Sequence, residues 1–138
     1  MVKFELNKGG RKIRLGPVLK KLEKTVSKEF KRDGVISIAI IDSNTSKKLN
    51  KNYRGKNKPA DVLSFSFDDK DDNIGEIVLS YEEMGRRAKE EKKTILEISI
   101  SLIIHGICHI FGYSHKKEKS AVKMEKKEKQ LIENMSDY

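Results

Sequence analysis

Apolar positions along the chain change period several times, and each change marks an element. Val18, Leu19, Leu22, Val26 and Phe30 recur at helical spacing behind Pro17, a residue suited to a first helical turn. The pattern predicts a helix ended by Gly34, preceded by a short strand at Phe4–Leu6 and a Gly9-Gly10 turn. Val35–Ile41, VISIAII, is rich in β-branched residues and reads as a buried strand. Asp42 and Ser43 can cap a short helix through about Asn52. After the polar loop RGKNKP, Val62, Ser64 and Ser66 alternate with Leu63, Phe65 and Phe67, the period of a strand. Ile74–Leu79 is the next strand, paired with it as a hairpin across an exposed DDKDDN loop. Ser80 begins a charged helix to about Lys93. Ile95–Phe111 is apolar nearly all round and so reads as a central helix. Ser120–Met135 is a last amphipathic helix. With no repeat and no linker, residues 1–138 read as a single α/β (α+β) domain, a small mixed sheet of about four strands with about five helices around it.

Composition adds a partner to this picture. The 138 residues carry a net charge of +9, with 36% hydrophobic and 37% charged side chains. The charge is uneven: residues 1–60 hold 17 basic and 5 acidic side chains, and residues 61–138 hold 13 and 16. Such asymmetry fits either a polyanionic partner, most simply nucleic acid, or a solubilising lysine-rich surface. The one cysteine excludes an intrachain disulfide and suits a reducing cytosol. The N-terminus has no apolar signal core, and no run approaches a membrane span of roughly 18 apolar residues. A soluble, cytoplasmic protein with no membrane partner is expected.

All three histidines of the chain lie in HGICHIFGYSH, at positions 105, 109 and 115. His105 and His109 are one helical turn apart, roughly 40° around the axis, so both imidazoles can reach one ion. Gly112 lets the helix end and the chain fold back, delivering His115 to the same point. Three histidines leave a tetrahedral ion one open position, the arrangement of a catalytic zinc at the end of the central helix. The alternative is three unrelated histidines, two of them in a core helix. The spacing matches that of metzincin proteases, glycine included, but Gly106 stands where those enzymes carry their glutamate base. A zinc ion without that base suits a substrate whose cleavage relies on a metal hydroxide, on Lewis-acid activation or on a nucleophile of its own. RNA is one, because its 2′-hydroxyl can attack the adjacent phosphate. Cys108 projects to the side of His105 away from His109 and reads as a core residue.

Residues 47–58, KKLNKNYRGKNK, carry six basic side chains and no acid. Lys48, Lys51, Lys56 and Lys58 with the interleaved Tyr53 have the composition of a single-strand nucleic-acid surface, or of a solvated helix end. Here LNKNYRGKNKPADVLSF, GEI and HGICHIFGYSH together resemble the YbeY family of bacterial metallo-endoribonucleases, with the blocks in the same order from about Val35 to Met135. The resemblance implies one zinc per chain held by His105, His109 and His115, and cleavage of single-stranded RNA. It further implies maturation of the 3′ end of small-subunit ribosomal RNA and ribosome quality control, with ribosomal RNA and the small subunit as partners. Arg54 is the family's important basic residue, expected to clamp the scissile phosphate; with His109 it is the expected catalytic pair.

Against the family pattern, Ala60 replaces a threonine, Glu76 an aspartate, Cys108 a leucine and Ser114 an aspartate. That last aspartate can orient an imidazole, a task serine performs more weakly. Asp61, Ser64, Glu76 and Ser114 are candidate supports of the metal site, although capping a turn explains Asp61 equally well. Met124 and Glu128, four apart on the last helix, read as bracing the site. Nickel and other ions also accept imidazole, and the oligomeric state is not legible. Two rival readings are a metalloprotease with a base recruited from Glu76 or Glu128, and a non-catalytic RNA- or ribosome-binding module with structural zinc.

Overall fold

A computed structural model describes residues 1–67 and 72–135, so most of the expected DDKDDN loop lies outside the described residues. The elements run β1 (Val2–Asn7), α1 (Gly16–Phe30), β2 (Gly34–Ile41), α2 (Ser43–Arg54), β3 (Val62–Ser66), β4 (Asn73–Ser80), α3 (Tyr81–Glu91), α4 (Ile95–Ile110) and α5 (Glu118–Met135). The sheet order is β1-β2-β4-β3. β1, β2 and β4 are parallel, and β3 joins β4 antiparallel, pairing Ser64 with Ile77 and Phe65 with Glu76. The mixed four-stranded sheet with five helices is the architecture expected from the residue pattern.

Pleating decides what each face of the sheet packs against. Ile36, Ile38 and Ile40 of β2 and Ile77 and Leu79 of β4 are buried, whereas the alternate β2 positions are only half-buried. α4 lies on the buried face, where its glycine at 106 meets Ile77. Ile98, Ile103, Ile104 and Ile107 of α4 are all at most 1% exposed, and each contributes about 1.5–3 kcal/mol by burial. α4 begins in a capping box: the Thr94 side chain accepts from the Glu97 N–H, and Glu97 reaches back to the Thr94 N–H. Stacking of Phe30 on Phe111, with centroids 4.1 Å apart, ties the end of α1 to the end of α4.

Several boundaries differ from expectation. α1 stops at Phe30 because Lys31 takes the left-handed conformation (φ 46°) and donates its N–H to Ser27; Gly34 opens β2 instead. α2 runs past Asn52 to Arg54, with Gly55 at φ 69° closing it, so Arg54 sits on the last helical turn and not in the loop. Asp42 caps α2 as expected, accepting from the Thr45 N–H at 2.7 Å. Ser80 occupies the cap position of α3 without making a cap bond, and the helix starts at Tyr81. Among the described residues no single helix is long and apolar enough to cross a membrane.

Candidate functional site

α4 carries His105 and His109 on one side of its last turn, with ring centroids 4.8 Å apart. The helix ends at Ile110. Gly112, at φ 98°, turns the chain, and the Gly112 and Tyr113 N–H groups donate to His109 and Cys108 carbonyls at 3.0 and 2.9 Å. The returning segment sets the His115 ring 5.6 Å from that of His105 and 5.0 Å from that of His109. One ligating nitrogen from each ring lies within 4.8 Å of the others. Nitrogens on a tetrahedral zinc are about 3.3 Å apart, a difference that small ring rotations close. Imidazoles from one helix turn and one returning loop therefore fit a single borderline-soft cation.

The electrostatics suit that task. His105 Nδ1 lies 2.7 Å from Oε1 of Glu128 on α5. A proton held there by the carboxylate leaves His105 Nε2 free to ligate. Burial, followed by the neighbouring His105 and His115 rings, lowers the His109 pKa below its ordinary value and favours the neutral, ligating imidazole. Cys108 is fully buried, and burial pushes its thiol up to about 12. It packs in the core and stands outside the three-histidine group.

The histidines open into a cavity of about 580 Å³ that wraps β3 at the edge of the sheet. Ser66 bonds the Ile110 carbonyl, so the even positions of β3 face α4, and Phe65 faces the other side, where Tyr53 meets it edge-on at 5.1 Å. Tyr53 and Arg54 project from the end of α2 into the same cavity as the histidines, together with Ser64, Phe65 and Asp61. Arg54 is exposed and has no hydrogen-bond or ion-pair partner among the described residues.

The other anticipated positions divide. Ser64 reaches the cavity wall. Asp61 also lines it, but its oxygens accept from the Val62 N–H and from Arg87, both at 2.8 Å, so the carboxylate braces the entrance to β3. Glu76 alternates with Gly75 and Ile77, which face α4, and so lies on the opposite face of β4, away from the histidines. Ser114 accepts from the Lys116 N–H at 3.2 Å, a local turn bond rather than one to His115. Lys48 and Lys51 border a separate depression on α2, and Lys56 and Lys58 line a second cavity beyond Arg54. Gly106 has a packing role: a Cβ there would stand 3.0–3.2 Å from three carbons of Ile77. Position 106 therefore faces the sheet, which the spacing alone does not reveal. Phe65 was not among the anticipated site residues, although its place opposite Ser64 in the β3 alternation is the signal for it.

Comparisons with known proteins show the family and the fold. A family model described as endoribonuclease YbeY matches residues 7–136. An endoribonuclease YbeY of Carboxydothermus hydrogenoformans is 40% identical over 103 residues, covering 73% of this chain and 72% of that one. Its counterpart in Persephonella marina is 36% identical over 135 residues, covering 84% and 88%. The solution structure of a Thermotoga maritima protein superposes with a TM-score of 0.70 at 30% identity, covering 98% of this chain and 89% of that one.

Proposed function

The chain belongs to the endoribonuclease YbeY family, and on that footing we propose that it is a zinc-dependent endoribonuclease that cuts single-stranded RNA. Its substrate is ribosomal RNA, cut in 3′-end maturation of the small subunit and in ribosome quality control, in the cytoplasm. The observation that carries the reading is one cavity shared by three convergent imidazoles and the guanidinium of Arg54, which has no partner among the described residues.

His105, His109 and His115 are the zinc ligands, one ion per chain. When bound, zinc supplies Lewis-acid polarisation of a phosphoryl oxygen and lowers the pKa of water towards neutrality. The chain's own groups do the rest. Arg54 grips the non-bridging oxygens of the scissile phosphate, for which a planar guanidinium offers two parallel N–H donors, and stabilises the charge that builds there. Glu128 holds the His105 ring and its proton. Tyr53 and Phe65 border the space for the neighbouring base, and Ser64 lines the wall. The substrate's 2′-hydroxyl or a water is the nucleophile.

The metalloprotease reading fares worse. Among the described residues Asp61 is the one carboxylate lining the cavity, and both its oxygens are engaged. Glu128 is held behind His105 and Glu76 lies across the sheet, so neither recruited base is placed to act on a peptide.

Incubating the purified protein with unstructured RNA, duplex RNA and a generic peptide, with and without chelator, tests the proposal. Chelator-sensitive cutting of unstructured RNA supports it. Peptide cleavage without RNA cleavage refutes it, and RNA binding without cleavage by zinc-loaded protein favours a binding module.

A further inference from the structure

A second cavity, of about 350 Å³, lies on the far side of Arg54. Arg54 and Asp61 line both cavities, so the guanidinium stands at their boundary. One wall of the second cavity is the loop after α2, bearing Lys56 and Lys58; the other is α3, bearing Arg86, Arg87 and Glu90. Its cations are of two kinds. Arg87 is held by Asp61 at 2.8 Å and Glu91 at 2.7 Å, and Arg86 by Glu83. Lys56 and Lys58, like Arg54, have no partner among the described residues. The paired arginines build the wall, and the unpaired cations are left for a ligand.

The loop bearing the lysines is fixed by buried polar groups. Ser46 and Asn50, one helical turn apart on α2, are 2% and 1% exposed. The Ser46 hydroxyl donates to the Ala60 carbonyl at 2.7 Å and accepts from the Ala60 N–H at 3.0 Å. Asn50 Nδ2 donates to the Lys58 carbonyl at 2.7 Å. These bonds fasten 58–60 to the helix, although Asn50 Oδ1 is buried without a partner among the described residues. The Lys56 N–H donates to the Asn50 carbonyl at 3.4 Å, so both lysines stand on backbone tied to α2.

We propose that this second cavity binds the sugar-phosphate backbone of the substrate strand, at the phosphate next to the one cut. The proposal rests on the endoribonuclease reading above. The strand crosses Arg54, with the scissile phosphate on the histidine side and its neighbour between Lys56 and Lys58. Ammonium groups read phosphate charge and not bases, so they add affinity without sequence preference. Glu90, exposed on the opposite wall with no partner among the described residues, opposes the incoming phosphate.

The test is fluorescence anisotropy of zinc-loaded protein with a labelled 2′-O-methyl single-stranded oligonucleotide across a range of salt concentrations, beside a cleavage assay on unmodified RNA. Lys56→Ala/Lys58→Ala should flatten the log-affinity against log-salt slope by roughly 0.7 for each phosphate that the variant no longer neutralises. Lys20→Ala/Lys21→Ala, on exposed positions of α1, removes the same net charge and should leave the slope unchanged. Glu90→Gln should tighten binding by up to about fivefold, the size of an exposed charge interaction. An unchanged slope in the Lys56/Lys58 variant, or an equal fall in the α1 control, overturns the proposal while RNA cutting by the unaltered protein leaves the underlying reading intact. Failure of the unaltered protein to bind or cut any RNA sinks both.

Discussion

Glu128 on α5 and His105 on α4 form a carboxylate–imidazole pair at 2.7 Å, joining side chains 23 residues apart. A carboxylate at that distance favours the tautomer with the proton on Nδ1, which leaves Nε2 free to ligate. Replacing Glu128 with Gln should weaken zinc binding by about 10–100-fold, the usual effect of losing a partner behind a metal-ligating imidazole. Competition with a chromophoric chelator reads the affinity directly; an unchanged value would make Glu128 a packing residue only.

Arg54 lines the histidine cavity and has no partner among the described residues. Arg54→Ala should keep full zinc content and an unchanged unfolding midpoint, and lose about 10²–10³ in kcat, the effect of removing one donor to a developing oxyanion. Metal analysis and single-turnover cleavage of unstructured RNA measure the two halves. An unaltered rate removes Arg54 from the chemistry.

His109 gives the metal-free protein a pH dependence. Its folded pKa is lowered, first by burial and then by the neighbouring His105 and His115 rings. The unfolded imidazole takes its proton near 6.5, above the folded one, so unfolding takes up a proton below that pH. The resulting contribution to stability is present above about 6.5 and is lost as pH falls through the folded value. Urea unfolding of metal-free protein at pH 7.5 and 5.5 should show this loss, and His109→Gln should show less of it. Equal pH dependence in the two proteins would rule out His109 as its source.

Gly106 is packed against Ile77, which is fully buried. Alanine gains about 1 kcal/mol of helix propensity over glycine, while overpacking a core costs about 1–3 kcal/mol. Gly106→Ala should therefore lower stability by up to about 2 kcal/mol and leave the zinc stoichiometry at one. A more stable variant would show that α4 and β4 have slack between them.

The site was legible in the sequence where its parts are local. His105 and His109 are positioned by one helix and residues 62–66 by strand alternation, so periodicity is the signal for them, and the conformational freedom of glycine is the signal for the turn at Gly112. Contacts between distant segments left no such trace. The spacing of Met124 and Glu128 suggested bracing, but nothing in it named His105 as the partner. Alternation tells that Glu76 opposes its neighbours, not which face α4 will cover, and the structure puts Glu76 on the face away from α4. Glycine at 106 read as a missing base, whereas its position is set by close approach of α4 to Ile77. Lys31 ended α1 in a left-handed conformation that ordinarily selects glycine, which drew the expected boundary to Gly34.

Titrating zinc back into metal-free protein while following cleavage of unstructured RNA tests the whole reading most directly. The rate should rise linearly and level off at one equivalent per chain, and the same titration of His115→Ala should produce no cutting. Cleavage that is already complete without metal, or that persists unchanged in the His115 variant, would contradict it.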